Sequence, residues 1–116
     1  MIVRKKLDLP EGLVFLDGAT GSELDRRGVD VSRPLWSANA NIVAPDVLKQ
    51  IHKEYLQNGA QALTTNTFRS TERRFKYAGK VGMTDQNVRT AVQMALSACQ
   101  EVNNKALVLG SVGPLE

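Results

Sequence analysis

The first clear apolar block in the chain is Leu13-Val-Phe-Leu16, closed by Asp17 and Gly18. A run of this kind predicts a strand buried on both faces, as in a parallel sheet, although four residues also fit a helical segment. Gly18 and Gly21 then predict a turn. Residues 25–44, with Gly28, Pro34 and several Asn, Asp and Ser residues, read as a long surface loop. A loop of that length in a compact domain is usually functional or disordered.

From Pro45 the spacing changes. Pro45 suits the first turn of a helix, Asp46 complements its positive end, and Val47, Leu48, Ile51, Tyr55 and Leu56 recur on one face until Gly59. The pattern predicts a helix over about 45–58, with Lys49, Gln50, Lys53, Glu54 and Gln57 turned to water. Ala60–Thr65 returns as a strand candidate. Ser70 or Thr71 can cap a short helix through about Tyr77, closed by Gly79, and Thr84 can cap a longer one to about Asn103. Along that longer helix Val88, Ala91, Val92, Ala95, Ala98, Cys99 and Val102 form an apolar stripe. Ala106-Leu-Val-Leu109 is a third strand candidate, ending in Gly110-Ser-Val-Gly-Pro114.

Strand, loop and helix, strand, helix, strand is the order of βαβ units, which build parallel sheets. Each strand ends in a small polar or glycine cluster: Asp17-Gly18, Thr65-Asn66-Thr67 and Gly110-Ser111. Ligands of parallel α/β folds bind at the carboxyl ends of strands, so the three clusters are expected to converge there.

Composition narrows the function classes. With 116 residues, 42% of them hydrophobic, the chain fits one globular domain. No apolar run approaches the roughly 20 residues that span a bilayer. The start, Met1-Ile-Val-Arg-Lys-Lys-Leu-Asp8, has no long apolar segment of the signal-peptide kind. The expectation is a cytoplasmic protein without a membrane role. A net charge of +3 with 5% aromatics and no recognition motif argues against nucleic acid as a partner. Cys99, the only cysteine, allows no intrachain disulfide and no multi-cysteine metal site.

Gly18-Ala-Thr-Gly21 lacks the lysine and spacing of a phosphate loop. Asp17 instead offers a carboxylate that can pair with an ammonium, beside a glycine that lets a ligand approach the backbone. The alternative is an Asp-Gly turn in which Asp17 caps nearby amides. Trp36, the single tryptophan, either closes over a ligand or packs on the domain surface with its N–H bonded, and Ser37 shares both readings. Asn66, between Thr65 and Thr67, either projects into the same pocket or satisfies a strand-end turn. His52 reads as a satisfied packing histidine between Leu48 and Leu56, Glu23 as a first-turn acid, and Cys99 as a small buried hydrophobe. Arg69, Arg73, Arg74, Lys76 and Lys80 form a basic cluster, either a solvated face or an anion site.

Five blocks in order carry a resemblance: Leu16-Asp-Gly-Ala-Thr-Gly-Ser22, Pro34-Leu-Trp-Ser-Ala38, Ile51-His-Lys-Glu-Tyr-Leu56, Thr64-Thr-Asn-Thr-Phe68 and Gly110-Ser-Val-Gly-Pro114. From about Leu13 to Pro114 the chain resembles the homocysteine S-methyltransferases, which include the homocysteine-binding module of methionine synthase. The resemblance implies an α/β fold, a (β/α)8 TIM barrel, and transfer of a methyl group to homocysteine to form methionine. Such a barrel needs about 250 residues, so 1–116 is expected to be a single partial domain, the N-terminal part of the barrel with about three βα units.

The resemblance further implies that Asp17, Gly18, Ala19, Trp36, Ser37, Thr65, Asn66, Thr67 and Ser111 line the homocysteine pocket. The family's zinc, held by cysteine thiolates of later strands, lowers the thiol pKa of homocysteine. This chain is expected to hold neither metal ligand nor catalytic residue, and to be inactive by itself. The donor is left open among methyl-folate, S-methylmethionine and betaine. Open strand edges predict a homo-oligomer or a complementing C-terminal fragment. The second functional reading is therefore a non-catalytic, self-associating or partner-binding piece of a split or truncated enzyme.

Overall fold

The computed structural model describes residues 12–114, so the opening Met1–Asp8 lies outside the described residues. In chain order the elements are α1 (Gly21–Arg26), a 3-10 turn (Trp36–Asn39), α2 (Ala40–Val43), α3 (Pro45–Gln57), β1 (Ala62–Thr64), α4 (Glu72–Tyr77), α5 (Thr84–Val102) and β2 (Leu107–Leu109).

β1 and β2 pair in parallel, with Ala62 opposite Leu107, Leu63 opposite Val108 and Thr64 opposite Leu109. On the other side of β1, Leu16 makes a parallel bridge to Ala62. There the Asp17 N–H donates to the Ala62 carbonyl at 3.0 Å and the Gln61 N–H to the Phe15 carbonyl at 2.7 Å. The strand expected at Leu13–Leu16 is thus in the expected place but reduced to one bridge. The Phe15 N–H is taken by the Gln61 side chain at 3.0 Å rather than by a backbone carbonyl. No described segment covers its outer side: Leu13, Phe15 and Leu16 are 82%, 63% and 60% exposed.

α3 and α5, the connections before β1 and β2, pack against each other and against the strands. α3 begins at Pro45 with Asp46 in its first turn and buries Leu48, Ile51, His52 and Leu56. α5 presents Ala91, Ala95, Ala98 and Cys99, small side chains that let α3 approach closely. Leu56, Leu63, Ala95, Ala98 and Cys99 form one core cluster. Two ion pairs, Lys49 at 3.0 Å and Lys53 at 3.4 Å from Glu101, join the outer rims of the two helices. Parallel strands with helical crossovers packed on them give an α/β fold that fits the first units of a barrel.

Two expectations are corrected. Residues 25–44 are not one loop: α1 takes in residues 25 and 26, and residues 36–43 are helical. The Asn and Ser residues that suggested a loop are interleaved with Leu35, Ala38 and Ala40, all buried, so tertiary burial overrides the local polar signal. These residues feed two further clusters, one of Leu24, Val29, Ala40 and Ile51 and one of Leu35, Ala38 and Phe75. Thr84 also does not cap α5. Met83 holds the cap position and Thr84 is the first helical residue. Thr71 caps α4 as expected, its hydroxyl accepting the Arg74 N–H at 3.3 Å.

Candidate functional site

The carboxyl ends of the three strand segments converge. The end of the first is tied to the end of β1 by Asp17: one carboxylate oxygen accepts the Thr64 N–H at 2.9 Å and the other the Thr64 hydroxyl at 3.0 Å. The Thr64 hydroxyl uses its proton in this contact, so it and the two Asp17 oxygens keep only acceptor capacity. β1 is tied to the segment after β2 by three residues. The Thr67 hydroxyl donates to the Ser111 carbonyl at 2.6 Å, and the Ser111 N–H donates back to Thr65 Oγ1 at 3.2 Å and Thr67 Oγ1 at 3.3 Å. With the Thr67 proton committed to Ser111, the 2.8 Å contact between the two threonines has Thr65 as donor.

Gly18 and Ala19 are exposed beside this junction, but the bare face of Gly18 is not open space. A Cβ there would stand 2.8 Å from the Tyr55 hydroxyl oxygen, and the Tyr55 O–H donates to the Ala19 carbonyl at 2.8 Å. Gly18 is needed for the approach of α3 to the turn. Burial raises the Tyr55 pKa, keeping the phenol protonated as this donor.

Asn66 turns toward the helical layer. Its amide donates to the Ser37 carbonyl at 2.8 Å and to Asn41 Oδ1 at 3.0 Å, while Asn41 donates to the Asn66 carbonyl at 2.9 Å and to Asn87 Oδ1 at 3.0 Å. Asn87 donates to the Ala38 carbonyl at 3.0 Å and accepts the Ser70 hydroxyl at 2.7 Å. Three buried amides thus hold the 36–41 segment against the end of β1 and the start of α5. Asn41 and Asn87 were not singled out from the sequence. The only sequence signal was Asn87 one turn ahead of Ala91 on the apolar stripe.

Trp36 has a φ of 53°, the one non-glycine residue with positive φ among those described. Such a backbone costs of order 1–3 kcal/mol and persists only where its surroundings hold it. The guanidinium carbons of Arg33 and Arg69 each lie 5.3 Å from its ring centre. Its indole N–H is shielded from solvent and has no acceptor. Trp36 and Ser37 share a cleft of about 330 Å³ with Gly21, Ser22, Phe68 and Arg69. The nine predicted site residues therefore fall into two neighbouring groups. Asp17, Thr65, Thr67 and Ser111 gather at the strand ends beside Gly18 and Ala19, and Trp36 and Ser37 lie on the helical 36–41 segment, to which Asn66 bonds from the end of β1.

His52 is fully buried, as expected, but neither ring nitrogen has a hydrogen-bond partner. Burial lowers its pKa, and the Asp17 carboxylate partly opposes this. Glu23 is the first-turn acid of α1, 2.7 Å from Arg26 and 3.3 Å from Arg27, and the Arg26 hydrogen bond lowers its pKa. Cys99 is a free thiol buried in the α3/α5 core, where burial raises its pKa and disfavours the thiolate that a metal would need. Among the described residues no three His, Cys, Asp or Glu side chains are grouped to hold a metal ion, so their donor set does not fit a zinc ion. No helix among them is long and apolar enough to cross a membrane.

Comparison with known proteins gives a consistent result. The family model described as homocysteine S-methyltransferase matches residues 14–116. Homocysteine S-methyltransferase 3 of Zea mays is 34% identical over 97 residues, covering 83% of this chain and 29% of the relative. Homocysteine S-methyltransferase YbgG of Bacillus subtilis (strain 168) is 28% identical over 115 residues, covering 88% and 36%. The metallated form of the homocysteine methyltransferase MmuM from Escherichia coli superposes with a TM-score of 0.79 at 29% identity, covering 90% of this chain and 39% of that one. The chain thus spans about a third of the length of these relatives, 29% and 36% for the two curated ones.

Proposed function

Since the chain belongs to the homocysteine S-methyltransferase family, we propose that residues 12–114 supply part of the homocysteine pocket of a methyl-transferring enzyme. In that reaction the sulfur of homocysteine loses its proton and gains the methyl group of a donor, giving methionine. The observation that carries the reading is the junction of Asp17 with Thr64, beside Thr65, Thr67 and Ser111, within the span of the family match. A fixed carboxylate there suits the ammonium of an amino acid, and the hydroxyls beside it suit its carboxylate. In a zinc-dependent family the metal would present the sulfur as a thiolate. The described residues offer no donor set for it, so their part is recognition of the amino-acid end rather than activation of sulfur. By the same reasoning the 116-residue chain has no methyltransferase activity of its own. The donor, whether methyl-folate, S-methylmethionine or betaine, is chosen by groups other than this junction.

The test is an NMR titration of the labelled chain with homocysteine. Amide shifts at Thr64, Thr65 and Ser111 that saturate, and that disappear in Asp17→Asn, are expected. Saturation unchanged in Asp17→Asn would remove the carboxylate from the reading.

A second reading has its own observation, the exposed Leu13, Phe15 and Leu16 on the outer side of the first strand segment. An open apolar edge is a template for pairing, so the chain would associate with a second copy or a complementing fragment. Light scattering separates the two: a monomer mass at tens of micromolar opposes self-association.

A further inference from the structure

Asn58-Gly59 is the one Asn-Gly pair in the chain. Such a pair is chemically reactive: the backbone nitrogen of the second residue attacks the side-chain amide carbon of the first, expelling ammonia and closing a succinimide. Water then opens the ring to aspartate or isoaspartate. Glycine favours the attack because it has no Cβ to shield its nitrogen. Asn41, Asn66 and Asn87 are buried and precede Ile42, Thr67 and Val88, whose branched side chains hinder the same step. Asn104, exposed like Asn58, precedes Lys105.

The pair forms the C-terminal turn of α3. Asn58 is the cap residue, and Gly59 has a φ of 104°, which favours glycine. The Gly59 N–H donates to the Leu56 carbonyl at 3.2 Å and the Ala60 N–H to the Tyr55 carbonyl at 3.0 Å, the paired bonds of a Schellman turn. The Asn58 amide donates back to the Glu54 carbonyl at 2.7 Å. While the turn is closed, both reacting groups are therefore engaged: the nitrogen with Leu56 and the amide with Glu54. Asn58 and Gly59 are both exposed at a helix end, where local opening costs least, and opening releases the two groups together.

We propose that Asn58 is a modification site, converted to aspartate and isoaspartate when the last turn of α3 opens. The bond from the Gly59 nitrogen to Asn58 Cγ forms and the Cγ–Nδ2 bond breaks. The Gly59 proton passes to solvent, and Nδ2 takes up a proton and leaves as ammonia. Water adds to one of the two imide carbonyls, and the site of attack decides between aspartate and isoaspartate. Either product replaces the donor to Glu54 with a carboxylate at the negative end of α3. That carboxylate enters a cleft of about 220 Å³ where Glu23 and Glu54 already share Arg27. Isoaspartate also adds a main-chain methylene between α3 and β1, so the turn cannot close in its former register. The change loosens Tyr55, whose carbonyl takes the Ala60 N–H and whose hydroxyl holds Ala19 beside the strand-end junction. This goes beyond the homocysteine reading and depends on no ligand.

The experiment ages the 116-residue chain in mildly alkaline buffer beside a free peptide of residues 54–62, in which the turn is open. Tandem mass spectrometry of the tryptic fragment 54–69 separates conversion at Asn58 from conversion at Asn66. Position 58 is expected to convert at least about tenfold faster than Asn104, because glycine leaves the attacking nitrogen unshielded. It is expected to convert about tenfold slower than the peptide, because the closed turn protects it. Urea above the unfolding midpoint should bring the chain to the peptide's rate in the same urea. The aged chain should unfold at a lower urea concentration than the fresh one, whereas Asn58→Gln should keep its midpoint on ageing. Residue 58 is exposed, so this variant should fold, as far-ultraviolet circular dichroism will verify. No conversion at Asn58 while the peptide converts fully overturns the proposal. So does conversion of the folded chain at the peptide's rate, or an equal fall of the midpoint on ageing in Asn58→Gln.

Discussion

Gly18 and Tyr55 are fitted to one another: a Cβ on Gly18 would lie 2.8 Å from the Tyr55 hydroxyl oxygen and 3.0 Å from its Cε1. The ring cannot simply swing away, because its hydroxyl is bonded to the Ala19 carbonyl. Gly18→Ala therefore forces either the turn or the ring to move, at about 1–3 kcal/mol, the usual range for overpacking. Tyr55→Phe loses only the hydrogen bond, about 1 kcal/mol. The two changes should be non-additive, since freeing the ring makes room for the new methyl. Urea unfolding of the two single variants and the double variant measures this. Strict additivity would mean that the ring does not limit the substitution.

His52 gives the chain an acid sensitivity that can be isolated. Its folded pKa lies below the ordinary 6.5 because burial opposes charging. Below about pH 6.5 the unfolded chain therefore binds a proton that the folded chain does not. The sign follows: stability is level above that pH and falls as pH drops toward the folded pKa, by at most about 1.4 kcal/mol per pH unit. It is the only histidine, and the depressed carboxylates Glu23 and Glu101 titrate at lower pH, so the window from 6.5 to 5.5 belongs to it. His52→Leu should flatten the urea midpoint across this window. A midpoint that falls equally in the variant would show that another group carries the slope.

The regular elements were legible because one pattern specified each. α3 is announced by Pro45, Asp46 and the spacing of Leu48, Ile51 and Leu56, and it runs from Pro45 to Gln57. β1 lies in a short run that begins just after Gly59 and β2 in one that ends at Gly110, and the strand-end clusters do gather as βαβ order requires. What the pattern could not carry was tertiary partnership. The 36–43 helical stretch looks polar because Asn41 is there, yet Asn41 is buried and satisfied by Asn66 and Asn87, which come from distant parts of the chain. Gly18 was read as an opening for a ligand, whereas the space beside it belongs to Tyr55. The spacing of His52 between Leu48 and Leu56 predicts a satisfied packing histidine, yet it is buried with neither ring nitrogen partnered, because its neighbours in space are not encoded by local spacing.

The asparagine network predicts a specific failure. Asn87→Ala leaves the Asn41 amide, the Ser70 hydroxyl and the Ala38 carbonyl each short of a partner. A buried group left unpaired costs about 1–3 kcal/mol, and here the loss falls on the segment that carries Trp36. The expected result is a lowered urea midpoint together with a red-shifted Trp36 emission in native buffer. Asn87→Asp keeps the acceptor for Ser70 and Asn41 but loses the donor to Ala38, so it should sit between the two. Stability loss with unchanged emission would show that the network does not hold the tryptophan segment.

Gly113 offers a contrast with Gly18, because the obstruction there is backbone. A Cβ on Gly113 would lie 2.5 Å from the Phe68 carbonyl oxygen, and no rotamer relieves that contact. The chain after β2 would have to separate from the residues after β1, straining the Thr67 to Ser111 hydrogen bond of 2.6 Å. Gly113→Ala should therefore cost more than Gly18→Ala, toward the upper end of the 1–3 kcal/mol overpacking range. It should also disturb the amides of Thr65, Thr67 and Ser111 more than those of α3 and α5. Urea unfolding ranks the two glycine variants and amide shift mapping locates the change. If Gly113→Ala proves the milder of the two, or leaves the Ser111 amide in place, the segment after β2 is not held against Phe68 as closely as the geometry requires.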